Sequence, residues 1–325
     1  MVMARLFAAA LALCVACSAG AQAWTPQKAV EVVVPTAAGG ANDNIARLIQ
    51  RIMQDQKLVP TPVVVMNKAG GNQTLASVYV RQHPNDPHYL LYSTSSVLSA
   101  EITGLSKMHY TDLTPIALLV TEHSVVSVRA DSPIRNMKDL IAQLKADPQS
   151  IAFGMVSRGG SNHVALAQSV KGAGIDPKKL KTIVFKTNSE SYLGVVGGHI
   201  HAVTSSATAA HPFLQQGSVR IIGITAQQRQ SGDFAGVPTM REQGIDVRVS
   251  NWRGVFAPPG IAARQAAYWD ETFAKLVATD DWQKMVDQNN TESQFMRSRE
   301  FARFLESQYA FSKALLTELG FAKQP

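Results

Sequence analysis

The chain has 325 residues, with 31 lysines and arginines against 24 aspartates and glutamates, for a net charge of +7. Its basic residues are scattered, Lys178, Lys179 and Lys181 being the densest group, so the basic stripe interleaved with aromatics that marks a nucleic-acid protein is missing. A mild positive excess suits the attraction of small anions.

The first residues read as an export signal. Arg5 is a basic n-region, residues 6–16 an apolar h-region, and Ala21-Gln22-Ala23 an A-x-A cleavage site. Cleavage after Ala23 starts the mature chain at Trp24 and predicts the periplasm. The apolar run is short of the roughly 18–20 residues a membrane span needs. A lipid anchor through Cys17 is the competing reading, and Cys14 stands where that reading expects an aliphatic residue. Both cysteines fall in the removed part, so the mature chain relies on its core and uses no disulfide.

In Val32-Val33-Val34 a β-branched run stops at Pro35, which cannot donate to a sheet ladder. Small residues follow through Gly39 and Gly40. Asn42 or Asp43 is positioned to cap a helix marked by Ile45, Leu48, Ile49, Ile52 and Met53. Strand, glycine turn and helix in that order expose a helix N-terminus at the carboxyl end of a strand, where unpaired N–H groups favour an anion. A single such loop is equally an ordinary strand-to-helix turn. Residues 62–67 predict a second strand, residues 69–72 a turn, and residues 74–83 a helix. Residues 90–93 predict a third strand that ends in Thr94-Ser95-Ser96.

An extended run from Ile116 to Val128 then leaves this first unit. Residues 137–144 carry a helix period, and the opening pattern recurs: a short strand at 151–153, a small-residue loop at 157–162, and a helix from His163. Strands follow at 181–185, 201–205 and 219–225, with Thr187-Asn188-Ser189 capping a helix that Gly197-Gly198 ends. Val247 to Phe256 reads as a second crossing, and the remainder as helical over 264–278 and 299–319. Strands alternating with helices predict α/β units with largely parallel sheets and ligand at the strand carboxyl ends. The expected architecture is a two-lobed Venus-flytrap of the type II-like kind, with two crossover strands. Residues 24–124 plus 250–325 form one lobe and residues 125–249 the other.

No nucleophile elbow, phosphate loop or zinc helix is present. His199 and His201 lack a cysteine or carboxylate to complete a metal site. Ser161 and His163 superficially suggest a hydrolase dyad, although residues i and i+2 do not face each other on a helix. Neither catalysis nor a cofactor is expected. Ser157, Ser161 and Asn162, beside Gly159 and Gly160, suit a carboxylate through hydroxyls, an amide and backbone N–H groups. Arg158 either adds a charge-assisted bond or is a solvated loop arginine. His163 reads as a structural cap more readily than as a ligand contact. Trp252 reads as hinge packing, and Arg253, between apolar residues, requires an anionic partner.

Four segments in order, VVVPTAAGGANDNIAR (32–47), SRGGSNHVALAQ (157–168), GVVGGHIHAV (194–203) and SNWRGVFAPPG (250–260), resemble the solute-binding receptors of tripartite tricarboxylate transporters, the Bug type. The resemblance spans essentially the whole mature chain. It implies a monomeric periplasmic receptor that closes on a small organic carboxylate and delivers it to a two-component membrane permease. A role in signalling stays open beside transport. In that family the two glycine loops grip a carboxylate, which falls here on Thr36, Ala37, Ala38, Gly39, Gly40, Ala41, Asn42 and Asp43, and on Arg158, Gly159, Gly160, Ser161, Asn162 and His163. Thr94, Ser95, Asn188, Ser205 and Arg253 complete the candidate set. The chain departs from the pattern at Thr36-Ala37-Ala38, where bulkier residues are usual, at His201 for an aspartate, and at Arg253 for an aromatic. The added cation points to a ligand with two carboxylates; a carboxylate on an aromatic ring is the other class expected.

Overall fold

The structure, a computed structural model, describes residues 24–247, 249, 251–288 and 291–323. The export signal, with Cys14 and Cys17, lies outside them. Among the described residues, no helix is long and apolar enough to cross a membrane.

The β-branched opening run becomes strand β1 (Val30–Val34). Its side chains are buried on both sides: Val32 and Val34 join a core formed with Ile45, Ile49 and Trp269, and Val33 joins a second with Val80, Leu91 and Phe301. Burial on both faces explains why the run is continuously apolar instead of alternating. After β1 come α1 (Ala41–Asp55), β2 (Val63–Asn67), α2 (Thr74–Arg81), β3 (Tyr89–Thr94), α3 (Ser96–Ile102) and β4 (Thr114–Glu122). The chain then passes to β5 (Ser124–Arg129), α4 (Met137–Ala146), β6 (Ala152–Met155), α5 (Ser161–Lys171), β7 (Lys181–Val184) and α6 (Asn188–Val196). It continues through β8 (Ala202–Ser206), α7 (Ala207–Gln215) and β9 (Val219–Ile224), and returns as β10 (Asn251–Ala257), α8 (Ala263–Val277), α9 (Asp280–Gln288), β11 (Glu292–Arg297) and α10 (Ser298–Glu318).

These strands make two sheets, ordered β11-β4-β10-β3-β1-β2 and β7-β6-β8-β5-β9. Each is mixed, which corrects the expectation of largely parallel sheets. Strands β2, β1 and β3 are parallel, as are β7, β6 and β8, but β10 runs antiparallel to both β3 and β4, and β5 antiparallel to both β8 and β9. The reversal has a topological cause: a strand arriving from the other sheet enters from the cleft end and must run outward. The predicted α/β two-lobed fold is otherwise the one observed.

Only His123 separates β4 in one sheet from β5 in the other, and Asn251 of the returning β10 pairs with Glu122. The two connections therefore run side by side. Trp252 on β10 is fully buried against Phe256 and Phe301, as a packing role requires. A third bridge was not legible: Leu315, Leu316 and Leu319, at the end of α10 and just beyond, share a buried cluster with Ile102 of one sheet's helices and Val164 and Ala167 of the other's. Four further elements also escaped the sequence. The short α3 and the apolar, Pro212-containing α7 give no clean helical stripe, and α9 and β11 both fall between the two helices read over 264–278 and 299–319.

Candidate functional site

Both glycine loops end in the same construction. Helix α1 begins at Ala41 behind Gly40, and α5 at Ser161 behind Gly160, and neither start has a side-chain cap. This corrects the expectation that Asn42 or Asp43 caps the helix from outside. The first backbone bonds into each helix reach Gly40 O from Asn44 and Gly160 O from Val164, leaving the preceding N–H groups without an intrahelical partner. The glycine before each cap is left-handed, Gly39 at φ +81° and Gly159 at φ +74°, a conformation other residues resist. In each loop the third helical residue reaches back to that glycine's N–H: Asp43 Oδ2 at 2.9 Å and His163 Nδ1 at 2.8 Å. Asn42 and Asn162, the second helical residues, both face the cleft.

The cleft has a volume of about 460 Å³ and is walled from both sheets. Nine of the predicted residues line it: Thr36, Ala37, Asn42, Thr94, Gly160, Ser161, Asn162, Asn188 and Arg253. Three of them hold buried oxygens without a hydrogen-bond partner, Thr36 Oγ1, Asn42 Oδ1 and Asn188 Oδ1. Ser161 Oγ donates to Asn251 Oδ1 at 2.8 Å, and Asn162 Oδ1 accepts from Ser124 Oγ at 2.7 Å. Loop two is thereby tied to both connecting strands.

The other predicted residues do different work. Asp43 is buried and accepts from Arg47, Asn67 and Gly39 at 2.9 Å each. Burial pushes its carboxyl up, and these bonds outweigh burial and leave it below its ordinary range. Ala38 is exposed at the loop tip, Gly40 backs onto Thr187, and Gly39 and Ala41 border a separate hollow beside Phe213. Ser95 and Gly159 border another hollow, under the end of α10. Arg158 is exposed and donates to Thr182 O at 3.1 Å, the solvated-loop alternative. Ser205 is buried in the second lobe's core, where it meets Tyr192 Oη at 2.7 Å.

His163 is buried, and its ring lies 4.7 Å from that of Phe321. Burial, with the Arg158 charge second, holds its pKa down at about 4. The ring is neutral and accepts through Nδ1. With Ser161 committed to Asn251 and His163 to Gly159, the two side chains form no dyad.

Arg253 requires the main correction. It lines the cleft, but its anionic partner is already in the protein: Nη2 bonds Glu122 Oε2, and Nη1 donates to Asn251 Oδ1 at 2.8 Å. Both side chains are almost wholly buried. Glu122 stands 131 residues earlier, so local pattern alone could not pair them. Lys186 is then the cleft's other charged side chain among the described residues.

Sequence reasoning also passed over Ala69 to Gln73, read only as a turn. Gly70, Gly71, Asn72 and Gln73 all have positive φ, at +132°, +58°, +49° and +75°. Strain at two consecutive non-glycine residues marks a held conformation. Asn72 Oδ1 accepts from Ser157 Oγ of the facing lobe, and Gln73 accepts from Ser93 at 2.6 Å while donating to Thr94. Phe185 and Lys186 were missed too. The available signal was position: this loop and Lys186 each follow the carboxyl end of a parallel strand.

The fold is that of the two-lobed periplasmic binding proteins. Residues 45–321 match the family described as the tripartite tricarboxylate transporter family receptor, and the chain belongs to that family. It is 28% identical over 303 residues to the UPF0065 protein in the gbd 5′ region of Cupriavidus necator, covering 92% of this chain and 89% of that protein. The structure of the periplasmic binding protein BugD superposes with a TM-score of 0.84 at 24% identity, covering 92% of this chain and all of that one. MatC from Rhodopseudomonas palustris, with bound malate, gives 0.81 at 22% identity, covering 90% and 99% of the two chains.

Proposed function

We propose that this protein is a periplasmic receptor that captures a small organic carboxylate between its lobes and delivers it to a two-component membrane permease. The observation that carries the reading is the pair of uncapped helix N-termini, at Ala41 and Ser161, opening on one cleft between two sheets. Each supplies roughly half a positive charge and several free N–H groups, enough together for one carboxylate. Lys186 offers a cation for a second carboxylate. A dicarboxylate is thus the favoured class, and the malate bound by MatC is consistent with it. Met155, Val156 and Phe185 give the cleft an apolar wall, which also suits a carboxylate carried on an aromatic ring. The moving bodies are residues 24–124 plus 250–325 and residues 125–249, turning about the paired connections at Glu122–Ser124 and Asn251.

The test is a thermal-shift screen of mono-, di- and aromatic carboxylates, followed by calorimetry and recovery of the bound molecule. A ligand that binds only the folded chain raises the melting temperature by mass action. At least one acid is expected to do so and to be recovered unchanged. A panel with no stabilising acid overturns the reading, and chemical conversion of the acid would make the protein an enzyme. Lys186→Gln is expected to weaken a dicarboxylate by about 1 kcal/mol and the matching monocarboxylate hardly at all.

A further inference from the structure

We propose that Glu122 sets how many carboxylates the cleft accepts, by cancelling the charge of Arg253. The inference rests on the carboxylate reading above and concerns the number of charges the site tolerates. Arg253 is 5% exposed and forms part of the cleft wall, whereas Glu122 is 2% exposed and stands behind it, outside the lining. One carboxylate oxygen of Glu122 meets Arg253 Nη2, and the other accepts from Thr208 Oγ1 at 3.1 Å. Arg253 Nη1 is held by Asn251, which leaves Nε buried without a hydrogen-bond partner.

A guanidinium this deep demands an anion, because an uncompensated buried charge costs several kcal/mol. Were Glu122 neutral, the anion would have to come from the ligand. With Glu122 in place, the positive groups left for a ligand among the described residues are the two helix N-termini and Lys186. Those match two carboxylates. A third would enter a closed cleft beside a pair that is already neutral, and would have no cation of its own.

Three forms of the full mature chain separate the possibilities: wild type, Glu122→Gln, and Glu122→Gln combined with Arg253→Gln. The amide keeps the shape of Glu122 and an acceptor for Nη2 but removes the charge; the double variant removes both charges. Each form is titrated calorimetrically at pH 7.5 and low salt with butanoate, succinate and propane-1,2,3-tricarboxylate. Wild type is expected to favour succinate, with no gain from the third carboxylate. Glu122→Gln is expected to raise the affinity for the tricarboxylate relative to succinate by about tenfold or more. The double variant is expected to return that ratio to within about threefold of wild type, since the sum of charges is restored.

An unchanged ratio in Glu122→Gln overturns the proposal. So does an equal loss for all three acids in that variant, because Glu122 would then serve only to hold the connecting strands. A wild type that binds none of the three contradicts the carboxylate reading itself, a separate result from either of these.

Discussion

Asp43 and His163 occupy the same place in two helices and do the same job with opposite chemistry. Each accepts the N–H of a left-handed glycine and so holds its loop in the shape that leaves the helix start open. Asp43→Ala strands the donors of Gly39 and Asn67 and removes the partner of Arg47, so it is expected to cost about 1–3 kcal/mol in urea unfolding and to weaken ligand binding. His163 gives a pH signature. Its folded pKa of about 4 lies below the ordinary 6.5, so between those values the unfolded chain takes up a proton that the folded chain refuses. The contribution is complete above about pH 6.5 and is lost as the pH falls toward 4, on the order of 3 kcal/mol in all. His163→Asn keeps an acceptor without the titration, and its stability is expected to fall less over that window. Equal slopes for variant and wild type would contradict the assignment. Glycine has two different justifications here. Gly39 has open space around a missing Cβ but a left-handed backbone, whereas a Cβ on Gly160 would lie 3.0 Å from Ser157 Oγ and 3.1 Å from Ser96 Oγ, with ordinary φ. Gly160→Val is therefore expected to abolish binding by obstructing the approach of the lobes, and Gly40→Ala, with nothing nearer than 3.7 Å, to be tolerated. Calorimetry on both variants decides it.

At the scale of elements, the strands and helices that shape the site were legible because they obey local rules. Val32 to Val34 next to Pro35, the apolar stripe of α1, and Thr187 capping α6 through Glu190 N at 3.1 Å all follow from neighbouring residues. The pairing of Glu122 with Arg253, the contact of Asn72 with Ser157 and the burial of Ser205 against Tyr192 depend on chain segments brought together by the fold. That is why the two glycine loops could be located and the charge balance of the cleft was misjudged. Helix α10 makes the same point. Its stripe was readable, but its reach across both lobes was not, and Leu316, 1% exposed, sits in that bridging cluster. Leu316→Ala is expected to destabilise the protein by about 2–5 kcal/mol, with a larger loss for the two-lobed unit than for either sheet's own core. Unfolding followed separately by Trp269 and Tyr192 reports the two halves, and identical small losses in both would refute a bridging role.

For the whole molecule, the adjacency of the two connections restricts how the lobes can move. Glu122 pairs with Asn251 across β4 and β10, and loop two is tied to this place through Ser161 and through Asn162 to Ser124. The closure we propose would turn about that line, changing the distance between the facing loops while leaving each sheet intact, as in the hinge type of domain closure. On the reading proposed above, net positive charge favours the encounter with an anion, and the two helix starts are where it would come to rest. The most direct measurement is the crystal structure of the protein with the acid that stabilises it most in the thermal-shift screen. The account predicts one carboxylate between the lobes, with its oxygens at hydrogen-bond distance from the backbone N–H groups that open α1 and α5, directly or through one water. A carboxylate seated outside the cleft, or inside it with both helix starts unengaged, would contradict it.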